Sequence, residues 1–121
     1  MLASCAATVD YQPLTADVAA LPADAFARVR AALEVSYPEL EVAEERRFRL
    51  QSAWIPLQRR DRPGERRATV YLDRNTATLA VVVETRWLGL DLLGVPQWSS
   101  ARGDPALERA LLGALLAALD A

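Results

Sequence analysis

The chain contains no histidine and no lysine, and all 14 of its basic residues are arginine. Without histidine it lacks the side chain that most often serves as a general acid, a general base or a metal ligand near neutral pH. Without lysine it has no amine for a Schiff base and no lysine for a phosphate-binding P-loop. These absences predict a protein that is not an enzyme and that uses no cofactor and no metal ion.

Cysteine and long apolar runs are also scarce. The single cysteine, Cys5, has no second thiol in the chain with which to form an internal disulfide. No apolar run reaches the 18 or so residues of a membrane-spanning helix. The net charge of −2 is too close to neutral to predict a nucleic-acid partner. The length of 121 residues and the hydrophobic content of 52% instead predict one domain with a substantial core.

The segment Leu2-Ala3-Ser4-Cys5 resembles the lipobox of bacterial lipoproteins, in which the cysteine becomes the lipidated first residue of the mature chain. The resemblance implies lipid attachment at Cys5. With Ala6 rather than aspartate next, it also implies an outer-membrane location facing the periplasm. A signal peptide needs about 7–15 apolar residues before its cleavage site. Because only Met1 to Ser4 precede Cys5, either further residues lie upstream in the gene or the match arose by chance in an N-terminal tail.

Hydrophobic periodicity indicates the secondary structure that follows. Residues 1–21 are expected to form the lipobox remnant and a tether with a short edge strand, and residues 22–121 a single domain. Helices are predicted from Pro22 or Ala23 to Ser36 and from Pro105 to Leu119, the second introduced by Asp104-Pro105. Alternating apolar residues predict strands at 41–55, 68–73 and 78–87. A polar loop is expected at 58–67, around Pro63-Gly64.

This order, (β)αβββα, predicts the α+β class, with a small, mostly antiparallel sheet of three or four strands and two helices packed on one face. The element order is similar to that of the lipopolysaccharide-assembly lipoproteins of the outer membrane, in which two helices pack on a small sheet below a lipidated cysteine. That resemblance implies an accessory role in an envelope assembly or transport machine.

An apolar segment broken by glycine lies between the last predicted strand and the last helix. It could form a hydrophobic surface that contacts a partner or enters a bilayer, because exposed apolar patches usually mark interaction sites. It could equally fold back as a satellite of the core. The candidate contact residues are Trp87, Leu88, Leu90, Leu92, Leu93 and Trp98.

Arginines are concentrated in the predicted loop at 58–67. Guanidinium groups suit bidentate contacts with phosphate, and lipid headgroups are the favoured source if Cys5 carries a lipid. A solvated hairpin tip is the alternative. The candidate headgroup contacts are Arg59, Arg60, Arg62, Arg66 and Arg67.

Three functions remain open at this point. The first is a non-enzymatic envelope lipoprotein, bound to the membrane by its lipid and to a protein partner in the envelope, with no nucleic-acid partner. The second is a binding module for an apolar or anionic small ligand, with a mouth that Trp54 and Trp98 could border. The third is a carboxylate hydrolase built on Glu39, Glu41, Glu44 and Glu45, which more simply form a solvated strand start.

Overall fold

The computed structural model describes residues 12–57 and 62–120. Cys5 and the rest of the lipobox lie outside these ranges. The helices are α1 (Ala25–Ser36) and α2 (Pro105–Asp120). The strands, in chain order, are β1 (Leu14–Asp17), β2 (Leu40–Glu44), β3 (Arg49–Ser52), β4 (Ile55–Leu57), β5 (Gly64–Asp73), β6 (Thr78–Leu90), β7 (Pro96–Trp98) and β8 (Arg102–Gly103).

The eight strands of the described ranges form one antiparallel sheet around the long hairpin of β5 and β6. β1, β8 and β7 occupy successive stretches along the outer edge of β6. β3 and β4 do the same along the outer edge of β5, and β2 pairs with β3. The prediction of a small sheet with three or four strands is therefore wrong, since eight strands make up 42% of the described residues, although the α+β class stands.

The strands that the sequence did not predict are short. They adopt the strand conformation because each pairs with a long neighbouring strand. β4 and β7 have three residues each, and β8 has two. Segments of this length are too short to show the alternation on which strand prediction depends. Their pairing with β5 or β6 decides their conformation, and that pairing is a tertiary contact.

The core lies between one face of the sheet and the two helices. Alternate residues of β5 and β6 point to this face, as the pairs Val70–Val81 and Leu72–Leu79 show. Each buried valine or leucine contributes roughly 1.5–3 kcal/mol to folding. The two helices and the strands of the sheet both contribute fully buried side chains to this core. They are Val29, Leu33, Leu50, Val70, Leu79, Val81, Val83 and Leu115.

Both predicted helices are confirmed to within a few residues. The Asp104 carboxylate accepts a hydrogen bond from the Leu107 N–H at 3.1 Å, and Pro105 occupies the first helical position of α2. At the other helix, the Tyr37 N–H donates to the Leu33 carbonyl as α1 ends. Pro38 follows and prevents continuation, because it has no N–H to donate.

The predicted strand at 41–55 is wrong because the chain reverses within it. β2 and β3 pair antiparallel across a turn at 45–48, where Phe48 is buried and has a φ of +49°. Arg74, from the turn between β5 and β6, donates hydrogen bonds to the carbonyls of Glu45 and Arg46 at 2.9 and 2.7 Å. This contact between two turns satisfies backbone groups that a continuous strand would have paired with a neighbour.

Two further boundaries differ from the prediction. β5 begins at Gly64 rather than at Ala68, so the second half of the expected loop at 58–67 is strand. β1 lies inside the expected tether, and the pairing of Leu14 with Val81 joins this segment to the folded sheet. The apolar segment after Trp87 does not fold back over the core but continues β6 and returns as β7.

Candidate functional site

The end of the β6–β7 hairpin carries a group of exposed apolar side chains, which we call the hairpin tip (residues 90–95). Leu90 and Leu93 keep 72% and 88% of their full exposure, and Leu92 is fully exposed. Val95 adds a half-exposed side chain on the return of the chain. The tip is an exposed apolar surface, and such surfaces often mark contact sites.

The carboxylate of Asp91 organises the turn of the tip. Its Oδ1 accepts hydrogen bonds from the N–H groups of Leu93 and Val95 at 2.8 and 2.9 Å. The Asp91 N–H donates to the Val95 carbonyl, and Gly94 adopts a φ of +79° that suits glycine in a tight turn. The carboxylate of Asp91, the one charged side chain of the tip, is therefore hydrogen-bonded within the turn. These bonds hold the backbone that carries the exposed leucines.

The predicted contact residues divide into two groups. Leu90, Leu92 and Leu93 lie at the tip, whereas Trp87 and Leu88 are half-buried in β6 at its base. Trp98 lies opposite Leu88 in β7, and 39% of its side chain is exposed. The structure thus brings these residues onto one hairpin, with leucines at its end and tryptophans at its base.

The Trp87 ring fills the space that a side chain at position 64 would occupy, so this position requires glycine. Trp87 lies opposite Gly64 in the pairing of β5 and β6, and a Cβ atom on Gly64 would overlap Cε3 and Cζ3 of its ring. The Arg62 guanidinium lies over the same ring, 5.3 Å from its centroid. The guanidinium–indole contact fixes a positive charge at the base of the hairpin.

A pocket of about 420 Å³ lies beside Trp87, and we call it the base pocket. On its floor, Thr85 of β6 faces Arg102 of β8 across the strand pair. The Ser99 hydroxyl accepts a hydrogen bond from the Trp87 N–H at 2.9 Å and holds the start of the 99–102 segment against β6. The residues that line the pocket are Arg62, Thr85, Trp87, Ser99, Ser100 and Arg102.

The predicted arginines that the structure describes, Arg62, Arg66 and Arg67, do not share one surface. Arg59 and Arg60 lie outside the described residues. Arg66 and Arg67 are neighbours in β5 and therefore point to opposite faces of the sheet. Arg66 stacks over Tyr37 on the helix side, whereas Arg67 pairs with Glu84 on the open face at 2.9 Å. Of the predicted arginines that the structure describes, only Arg62 lines the base pocket.

The open face of the sheet carries a stack of aromatic and guanidinium groups. The Arg86 guanidinium lies between the rings of Trp54 and Trp98, at 4.1 and 4.8 Å from their centroids, and forms an ion pair with Glu65. The two tryptophans therefore border Arg86, and the mouth that they were expected to form is filled by this side chain. Through Arg86, the stack connects Trp54, just before β4, with Trp98 of β7.

One buried carboxylate lies between α2 and the sheet. Glu108 Oε2 accepts a hydrogen bond from the Val83 N–H at 3.0 Å. Burial raises the pKa of this carboxyl, and nearby Asp104 raises it further, whereas the hydrogen bond from Val83 acts in the opposite direction. Burial also raises the pKa of the Tyr37 hydroxyl, against the effect of Arg66. Both groups belong to the packing of the helices on the sheet.

Glu39, Glu41, Glu44 and Glu45 are all exposed around the edge strand β2. In residues 12–57 and 62–120, no three acidic or cysteine side chains group together as a metal site would require. Neither α1 nor α2, the helices within these ranges, has the length and apolar character to cross a bilayer.

Sequence reasoning missed the polar half of the base pocket. Thr85 comes from β6, whereas Ser100 and Arg102 come from the 99–102 segment, and the two segments meet because β8 pairs with β6. The one local signal was the polar run Ser99-Ser100-Ala101-Arg102 directly after an aromatic residue, which reads as an ordinary loop.

No known protein family matches the chain. The curated proteins searched include no significant match to it either.

Proposed function

We propose that this chain is a non-enzymatic accessory lipoprotein of the bacterial envelope, attached to the outer membrane through Cys5. Its folded domain contacts the membrane interface through the hairpin tip. The predicted protein partner in the envelope remains part of this proposal. The lipobox resemblance of residues 2–5 supports the attachment.

The exposure of three leucines on a turn held by Asp91 is the observation that carries the proposal. Trp87 and Trp98 follow the apolar end of the hairpin, and guanidinium groups lie beside and beyond them. Arg62 lies over the Trp87 ring, and Arg102 pairs opposite Thr85, two residues further from the tip along β6. Leucines at the end of the hairpin suit acyl chains, and tryptophans with neighbouring arginines suit the interfacial region and its phosphate groups.

The expected strength of the contact fits an accessory role. Full burial of one leucine contributes about 1.5–3 kcal/mol, so partial burial of three gives weak, reversible binding. A single acyl chain also binds only marginally, and stable attachment requires a second signal. The hairpin tip supplies such a signal and would orient the domain on the surface.

Vesicle flotation with the full chain tests this proposal. The chain carries Cys5→Ser so that no lipid contributes, and the vesicles are phosphatidylcholine, which has no net charge. Replacing both Leu92 and Leu93 by aspartate should abolish flotation without unfolding, because both side chains are exposed. Val35→Asp is the matched control, since Val35 on α1 is 84% exposed and lies away from the tip.

Two results would contradict the proposal. One is that the parent chain fails to float with these vesicles. The other is that Val35→Asp reduces flotation as much as the tip variant does, which would show a general effect of surface hydrophobicity.

A further inference from the structure

We propose that the base pocket is a binding site for a phosphate group. The ligand is a phosphate ester, either a phospholipid headgroup or a soluble compound. This inference deepens the proposed function and rests on it in one respect, the placing of Arg62 and Arg102 near membrane phosphate groups. The pocket shares no residue with the hairpin tip and can bind whether or not the tip enters a membrane.

The first argument is the chemistry of the lining. Two guanidinium groups, from Arg62 and Arg102, line the same pocket of about 420 Å³, and none of its lining residues is acidic. Arginine presents five N–H donors in a planar fork that matches the oxygens of a phosphate group. The hydroxyls of Thr85 and Ser100 add further donors to the lining.

The second argument is that these cations have no carboxylate partner in the described part of the chain. Arg67 and Arg86 are paired with Glu84 and Glu65 on the opposite face of the sheet. No described carboxylate lies within ion-pair distance of Arg62 or Arg102, although Arg62 does contact the Trp87 ring. The pocket therefore carries positive charge that no carboxylate of residues 12–57 and 62–120 neutralises.

The third argument is that neighbouring groups add to the positive potential and hold the lining in place. Arg66 lies opposite Thr85 in the pairing of β5 and β6, and its buried Nε has no hydrogen-bond partner. The Ser99 hydroxyl accepts from the Trp87 N–H and donates to the Ser100 carbonyl. Asp104, the nearest acid along the chain from Arg102, uses its carboxylate to cap α2 and does not line the pocket.

Phosphate fits this lining better than carboxylate. A carboxylate offers two oxygens, fewer than the donors that two guanidiniums and free hydroxyls provide. A phosphate ester presents additional oxygens to the same donors and can accept from both arginines at once. The exposure of Ser100 and Arg102 leaves the pocket open to a group that arrives from solvent or from a membrane surface.

The test uses the full chain with Cys5→Ser and inorganic phosphate as the first probe, with chloride at matched ionic strength as the control for screening. Phosphate should shift the NMR signals of Thr85, Ser100 and Arg102 in a saturable manner. Arg102→Gln and Arg62→Gln should each weaken this binding by about tenfold or more, because each removes charged donors. Thr85→Val, which keeps the shape of the strand residue, should weaken it less.

Arg109→Gln is the matched control, because Arg109 is exposed on α2 and loses the same charge outside the pocket. It should change phosphate binding by no more than about twofold, as expected for a screened surface charge. An equal loss in Arg109→Gln and Arg102→Gln, or the absence of a saturable shift in the parent chain, would overturn the proposal.

A second arm identifies the source of the phosphate. Phosphatidylcholine vesicles are prepared with phosphatidic acid or, at matched surface charge, with a fatty acid that offers only carboxylate. Preferential binding to phosphatidic acid that Arg102→Gln removes supports a lipid headgroup. Saturable phosphate binding without this preference supports a soluble phosphate ester. The variant with Leu92 and Leu93 replaced by aspartate should keep the inorganic phosphate shifts, which separates this site from the contact of the tip.

Discussion

Glu108 Oε2 accepts a hydrogen bond from the Val83 N–H, at a point where the outer edge of β6 has no strand partner. β1 pairs with β6 as far as Val81, and β8 begins its pairing at Glu84. In the gap, the Val83 N–H donates to Glu108 and the Val83 carbonyl accepts from the Asp104 N–H. The first turn of α2 therefore completes the edge of the sheet and positions β8, and with it Arg102, beside Thr85.

This arrangement predicts a pH-dependent stability. Because the pKa of Glu108 is raised in the folded state, its contribution is fully present below the pKa of an unfolded glutamate, about 4.3, and is lost as the pH rises through the folded pKa. Glu108→Gln keeps an oxygen that can accept from Val83 and does not titrate. The free energy of unfolding of the parent chain should therefore fall relative to that of Glu108→Gln as the pH rises from about 4 towards 7.

Urea unfolding at a series of pH values measures this difference. A rise in the relative stability of the parent chain over the same range would contradict the assigned role of burial. Glu108→Leu provides the second comparison. It leaves the Val83 N–H without its acceptor and should therefore be less stable than Glu108→Gln by about 1–3 kcal/mol at every pH, since neither variant titrates at this position.

The contact between Gly64 and Trp87 predicts that the smallest added side chain is destabilising. Gly64→Ala forces the Trp87 ring to move and should lower the free energy of unfolding by about 1–3 kcal/mol. Gly113→Ala is the control, because a Cβ at this exposed position of α2 meets no neighbouring atom. It should raise stability by up to about 1 kcal/mol through helix propensity.

A double variant distinguishes this contact from a general effect of the substitution. In a chain with Trp87→Leu, the added methyl group of Gly64→Ala should cost less than in the parent chain. Equal costs in the two backgrounds, measured by urea unfolding, would show that the indole ring is not what excludes a side chain at Gly64.

The turn of the hairpin tip should lose its order without Asp91. Asp91→Ala removes the acceptor for the Leu93 and Val95 N–H groups, so hydrogen exchange at these amides should accelerate by roughly tenfold, the equivalent of about one hydrogen bond. Asp91→Asn keeps a side-chain oxygen and should retain most of the protection. Exchange in Asp91→Ala as slow as in the parent chain would show that the carboxylate does not organise the turn.

The sequence predicted those parts of the fold that local signals specify. Pro38 and Asp104-Pro105 mark helix boundaries by their own backbone chemistry, and the helices end or begin beside them. The alternation of buried apolar residues in β6 is also a local signal, because successive side chains of a strand point to opposite faces of the sheet. The reversal at 45–48 carries no such signal, because a positive φ at Phe48 is unusual for a bulky residue and Arg74 from a distant turn supports it.

The candidate site was predictable only in part, for a related reason. The leucines at 90–93 are visible in the sequence as an apolar run, but the run alone could not show whether it lies on the surface or in the core. The Asp91 turn and the pairing of β7 with β6 decide this. The base pocket required knowledge of the pairing between Thr85 and Arg102, which joins residues that no sequence pattern relates.

The most direct test of membrane contact is the environment of the tip itself. Leu92→Cys in the Cys5→Ser chain can be labelled with a polarity-sensitive fluorophore and mixed with phosphatidylcholine vesicles. The emission should shift to shorter wavelength when vesicles are added, whereas the same label at Val35→Cys should not respond. An unchanged emission at residue 92, or an equal shift at residue 35, would contradict the insertion of the hairpin tip.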